Sequence, residues 1–237
     1  MNMKCLILFL ALIAQSFAER KVEVFVCLCD NEHQAIAKVG AKIGNGMDPA
    51  GNLYWGCSDG LSSYFKRSKK WHLISTKKHD DGPILITLNF NHHSGRASLI
   101  AHAYRGDKMS VCLETYFQKA LTAEKGELVA FIGHNGMMDN IVTIPKAAQA
   151  DDIASETIVL GCLTASYFTK PLKAINSEPL LLTKSLMYPG SFLLHDALEV
   201  WLRDGTKKEI REAAAKAYAK NQKISIRGAR TVFPELD

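Results

Sequence analysis

Two side chains suited to nucleophilic chemistry, His134 and Cys162, each follow a glycine at the end of a short apolar run. The runs lie in LVAFIGHNG, residues 128–136, and TIVLGCLTASYF, residues 157–168. Both are dense in β-branched and aromatic residues and stop at Gly, as strands buried on both faces do. In an open parallel sheet, ligands bind beyond the carboxyl ends of the strands. A Cys and a His delivered to one such edge make a nucleophile and a base. Acyl transfer by that pair needs a thiolate, a proton donor for the leaving amine and N–H groups aimed at the oxyanion. A helix starting just after Cys162 would favour its thiolate, and His134 would move the proton. Gly136, in Asn135-Gly136, permits a turn with positive φ. The N–H groups of Gly136 and Cys162 are therefore the candidate oxyanion hole. The plainer reading of the same spacing is a buried core thiol and a turn histidine.

The rest of the chain is expected to position that pair. Val22–Cys29 reads as the first strand, followed by a long loop from Glu32 to Tyr54, and loops of that length are usually functional or mobile. Gly56–Lys66 reads as a short helix and Trp71–Ser75 as a strand. Ile84–Asn89 and Ala97–Ala103 form a hairpin, and Ser110 to about Ala123 carries Leu113, Phe117 and Leu121 at helical spacing. Met137–Ala154 is a loop with some helical content. Pro179–Thr183 is a further strand, and Pro189 opens a helix to about Arg203. Thr206-Lys207-Lys208-Glu209 is a capping box that starts the last helix. The tail from Lys223 to Asp237 is expected to pack loosely. Strands alternating with helices predict a single-domain layered α/β fold with a mostly parallel central sheet. The runs 128–133 and 157–161 should be immediate neighbours in it.

Residues 1–18 have the pattern of a cleaved secretory signal: Lys4, the apolar stretch Cys5–Ala14, and small residues Ser16 and Ala18 at the cleavage positions. That stretch is too short for a stable membrane anchor, so a secreted or periplasmic protein of residues 19–237 is expected. The 237-residue chain has 29 basic and 24 acidic residues. Lys4 leaves with the signal, so the mature excess is mild, and its scatter along the chain reads as solvated surface, with no nucleic-acid partner. Cys27, Cys29, Cys57, Cys112 and Cys162 remain, an odd number that leaves a thiol outside any internal pairing. Cys27 and Cys29 are expected on one strand face and, with Cys112, in the core. A Cys29–Cys57 bridge is open. No zinc spacing is present, and His92-His93 read as solvated loop histidines that cannot share an ion. Neither metal nor cofactor is expected.

A strand ending in His, a crossover, and a strand ending in Cys together resemble the caspase-like cysteine peptidases, a group that includes caspases, gingipains, clostripain and legumain. The resemblance spans Val22 to about Thr183 but rests on Gly133-His134-Asn135-Gly136 and Leu160-Gly161-Cys162. It implies a caspase-like fold, a peptide or protein substrate, His134 as general acid/base and Cys162 as nucleophile. The family usually has Gly directly after the His, where this chain has Asn135. On that fold Asp30, Asn31, Tyr104, Arg105, Thr183 and Ser185 would line the cleft, Asp30 favouring a basic substrate side chain and Arg105 an acidic one. Two other functions fit the same residues: a binding protein that keeps the fold without catalysis, and another thiol hydrolase on a doubly wound sheet.

Overall fold

In the computed structural model, which describes residues 19–146 and 155–236, seven strands form one sheet. They are β1 (Arg20–Cys27), β2 (Trp71–Lys78), β3 (Ile84–His92), β4 (Ala97–Tyr104), β5 (Glu127–Ile132), β6 (Ser155–Leu160) and β7 (Ser177–Leu181). Their order across the sheet is β2-β3-β4-β1-β5-β6-β7. Strands β4, β1, β5, β6 and β7 run parallel to one another, while β3, antiparallel to β4, and β2, antiparallel to β3, complete the edge. The chain leaves β1 towards one side of the sheet and β5 towards the other. The crevice between their carboxyl ends is thus a topological switch point.

Alternation along β1 explains the layering. Val22, Val24 and Val26 face one core, and Phe25 and Cys27 face the other. The first core is covered by α1 (Leu61–Arg67), α4 (Phe192–Trp201), α5 (Lys207–Gln222) and α6 (Ile226–Arg230), the second by α2 (Met109–Thr122) and α3 (Thr164–Ala174). Apolar spacing makes these helices, with Leu193, Leu194, Ala197, Leu198 and Trp201 buried along α4. In α5 the capping box forms as expected: Glu209 N–H donates to the Thr206 hydroxyl, and the Glu209 carboxylate accepts from Thr206 N–H. Pro179 falls in β7, an edge strand, where a missing N–H is tolerated. The result is a single-domain α/β sandwich of three layers.

Several sequence expectations need correction. The carboxyl-terminal tail is not loose. It forms α6, and Phe233 is fully buried against Tyr218, a placement that contributes about 1.5–3 kcal/mol. Arg211 Nε donates to the Phe233 carbonyl at 2.9 Å, and Lys184 N–H donates to the Val232 carbonyl at 2.8 Å. Cys27 and Cys29 do not share a face, because β1 ends at Cys27 and the chain leaves the pleat there, putting Cys29 in the first core. All five cysteines among the described residues are free, so Cys29 and Cys57 form no bridge. His92 is buried at the end of β3 against Trp71, with Nε2 3.2 Å from Glu199, and is not solvated. The expected signal lies outside the described residues, as does the part of the 137–154 loop from 147 to 154. No described helix is long and apolar enough to cross a membrane.

Candidate active site

Ile132, the last residue of β5, pairs in parallel with Leu160, the last of β6. The two Gly turns therefore leave the sheet side by side. Gly133 N–H extends the ladder by donating to the Leu160 carbonyl at 3.0 Å, and its φ of 152° is a glycine conformation. A Cβ on Gly161 would stand 2.7 Å from the Gly133 carbonyl oxygen, inside contact distance. Both glycines are needed for the turns to approach this closely. The following residues, His134 and Cys162, emerge at the same edge of the sheet. Asn135 Nδ2 crosses between the turns and donates to the Cys162 carbonyl at 2.8 Å.

His134 is largely buried, with Nε2 at 3.0 and 3.1 Å from the two carboxylate oxygens of Asp139. The carboxylate only accepts, so Nε2 carries the proton and Nδ1 is left for a reactant. Asp139 is itself held: it accepts from Ala35 N–H at 2.8 Å and from Asn140 Nδ2 at 3.1 Å. Sequence reasoning missed Asp139. Its signal was an acid five residues past the His, just after the tight turn Gly136–Met138.

Cys162 is half-buried, and its Sγ accepts from Met187 N–H at 3.4 Å and lies 3.6 Å from the Met187 carbonyl oxygen. Leu163 follows with φ 55° and ψ 30°, a left-handed backbone that costs a non-glycine residue on the order of 1 kcal/mol and that clusters at functional sites. Helix α3 then begins at Thr164. The segment after β7 braces this strand–turn–helix. Thr183, fully buried, donates its hydroxyl to the Gly161 carbonyl, and Leu163 N–H donates to the Ser185 carbonyl at 3.1 Å. Thus Ser185 and Thr183 belong beside Cys162, though through backbone support. Tyr54 is buried nearby, and burial pushes its phenol well above the usual range, with the thiols of Cys29 and Cys162 adding to the effect.

Other expected site residues have structural work. Gly136 N–H donates to the His134 carbonyl at 2.9 Å, closing an inverse γ-turn at Asn135, so it is not free for an oxyanion. Nor does Gly136 have positive φ; it is a glycine because Met109 packs where a side chain would stand. Asp30 is buried, and one carboxylate oxygen accepts from the N–H groups of Glu32 and His33 while the other meets the His33 ring at 2.9 Å. Gly46 and Gly106 press directly on it. It is the cap that turns the chain after β1. Asn31 bonds both the N–H and the carbonyl of Val39, at 3.0 and 2.8 Å, closing the loop between them. Tyr104 is buried in the second core beside Phe25, and burial raises its phenol. Arg105 is engaged bidentately by Asp107 at 2.9 and 3.0 Å. Asp30, Asn31 and Arg105 are thus each engaged by neighbouring groups, and Tyr104 packs into the core.

Sequence reasoning also missed Asn52. It is fully buried and satisfied four times: its oxygen accepts from Cys29 and Tyr54 N–H groups at 3.0 and 3.1 Å, and its amide donates to the Cys29 and Asn45 carbonyls at 2.8 and 3.0 Å. It replaces the strand ladder where β1 stops and pins the long loop. A surface cavity of about 290 Å³ lies at the amino ends of β1 and β5, lined by Lys21, Glu23, Asn89, Lys119 and Glu127. Its charges are paired with one another, Lys119 with Glu127 at 2.9 Å and with Glu23 at 3.7 Å, and it holds no nucleophile. His134 and Cys162 lie instead at the carboxyl edge, at the ends of β5 and β6. No family model, curated protein or solved structure matches the chain.

Proposed function

We propose that the protein is an exported cysteine peptidase of caspase-like type, with Cys162 as nucleophile and His134 as general acid/base. The observation that carries this reading is the pair of glycine turns at adjacent parallel strand ends, joined by the Asn135 bond to the Cys162 carbonyl. The Cys162 thiolate attacks the peptide carbonyl, with Sγ positioned by Met187 N–H. His134 protonates the departing amine, then takes a proton from the water that hydrolyses the acyl-enzyme. Asp139 holds the ring in the tautomer that leaves Nδ1 free and stabilises the imidazolium. The Cys162 N–H is the remaining oxyanion donor of the expected pair. The loops after β1, β5 and β7 carry the exposed side chains Met47, Met138, Ile141 and Leu186, which this reading assigns to contacts with peptide side chains.

The use of Gly136 N–H within its own turn favours one competing reading, a binding protein that keeps the fold without turnover. Peptide-library digestion by the mature protein separates the two. Turnover that disappears in Cys162→Ala supports the peptidase. Peptide binding with no cleavage, or cleavage that persists in Cys162→Ala, refutes it.

A further inference from the structure

A second nucleophile lies away from the Cys162 edge, among helices of the first core. Ser68 follows the last turn of α1, and its Oγ is 2.8 Å from His195 Nε2 on α4. The opposite ring nitrogen, Nδ1, is 2.9 Å from the carboxylate of Asp196. The protons on this chain can be assigned. Asp196 only accepts, so Nδ1 of neutral His195 must carry the hydrogen and Nε2 must accept. Ser68 Oγ already accepts from Lys70 N–H at 2.9 Å, which leaves its own hydrogen to point at Nε2. The imidazole is held edge-on by Tyr64 and Phe65, with centroids at 5.4 and 5.6 Å, and is mostly buried. Ser68 opens on an outward-facing cavity of about 290 Å³ lined by Tyr64, Arg67, Lys69, Lys70 and His195.

We infer that Ser68, His195 and Asp196 form a serine esterase site independent of Cys162, taking small carboxylic esters that bear an anionic group. A hydroxyl is a weak nucleophile until a base accepts its proton and a third group orients that base. Both partners are in place here at hydrogen-bond distance. Ser68 Oγ bonds to the ester carbonyl carbon as its proton passes to His195 Nε2. The tetrahedral adduct collapses by breaking the C–O bond to the alcohol, which leaves with that proton. Water then attacks the acyl-serine by the same route, releasing the acid and restoring Ser68. Asp196 stabilises the imidazolium in both halves. Arg67 and Lys69 on the rim supply the positive charge that selects an anionic ester, while Lys70 Nζ is 3.7 Å from the Glu199 carboxylate. A serine that merely caps α1 needs neither an oriented base nor a carboxylate behind it.

The test uses the whole mature chain carrying Cys162→Ala, so that thiol chemistry at the other site contributes nothing. A fluorophosphonate probe is added and the adduct mapped by mass spectrometry, and hydrolysis of 4-nitrophenyl hemisuccinate is compared with that of the neutral butyrate. The expected result is an adduct on Ser68, lost in Ser68→Ala, with faster turnover of the anionic ester. Asp196 is half-exposed, so Asp196→Asn should fold and lower both labelling and turnover on the order of 10²–10⁴-fold. Absence of an adduct on Ser68, or labelling unchanged by Asp196→Asn, overturns the inference. Neither result bears on the peptidase reading.

Discussion

A methyl group on Gly161 would meet the carbonyl oxygen of Gly133 at 2.7 Å. The neighbouring turns of β5 and β6 are as close as backbone allows, and the reactive side chains ride on that contact. Gly161→Ala must push the turns apart, at a cost of about 1–3 kcal/mol, the usual range for overpacking. Urea unfolding should show this loss, and Cys162 reactivity should change with it. A variant of unaltered stability and thiol reactivity would mean that the turns have slack.

Alkylation should separate Cys162 from the three buried thiols. Cys112 is fully buried with its thiol pushed well above the usual range by burial, and burial takes Cys29 up to about 11. Only the thiolate attacks. With iodoacetamide at mildly acidic pH, Cys162 should be modified first and Cys27, Cys29 and Cys112 should stay intact until the chain unfolds. Peptide mapping reads the order. His134→Ala should slow both this modification and peptide turnover, the latter on the order of 10²-fold or more.

Asp139→Asn keeps the size of the side chain and removes its charge. Because Asp139 orients the His134 ring, the loss should fall on kcat, roughly 10–10²-fold, with KM little altered. The same carboxylate accepts from Ala35 N–H, so protection of that amide from hydrogen exchange should fall too. A change confined to KM would place Asp139 in substrate binding instead.

Asn52→Ala removes four hydrogen bonds from a sealed site. The N–H and carbonyl of Cys29 and the N–H of Tyr54 would lose their partner, at about 1–3 kcal/mol for each group that water cannot reach, while the Asn45 carbonyl keeps Asp48 N–H at 3.2 Å. A fall of several kcal/mol in unfolding free energy is expected, large for one polar substitution. Asn52→Asp should be nearly as harmful, since it removes the two donors that meet the Cys29 and Asn45 carbonyls.

His92 gives a pH signature. Burial lowers its pKa from the usual 6.5, with Glu199 opposing the shift. Above pH 6.5 the ring is neutral in both folded and unfolded chains, so this group adds no slope. Below it the unfolded chain binds the proton first, and the stability due to His92 is lost as pH falls through the folded value. Urea midpoints measured from pH 7.5 to 5 should drop more steeply for the native protein than for His92→Gln. Parallel curves would remove His92 from the account.

Much of the sheet was legible because local pattern and global position agreed: the runs before His134 and Cys162 are apolar apart from Thr157, as suits strands covered on both faces. The capping box at Thr206 was legible because its partners are three residues apart. What failed depended on distant partners. Nothing near Asn52 announces that it will stand in for a strand, and Asp139 becomes meaningful only once its turn folds back to His134. Asp30, Tyr104 and Arg105 sit at strand ends as the resemblance implied, yet are claimed by His33, the second core and Asp107. The tail looked polar and short of aromatics, but Ala229, Val232 and Phe233 bury against the core and the carbonyls of Arg230, Val232 and Phe233 are bonded there.

That docking sets an order of events during synthesis. All seven strands are complete once residue 181 is made, yet the Lys184 N–H, within the segment that braces the Cys162 turn, finds its acceptor on Val232. Translation must run about fifty residues further, roughly 3–10 s, before that bond can close. A chain released early would own the sheet, the His and the Cys, and still lack the clasp on the wall beside them.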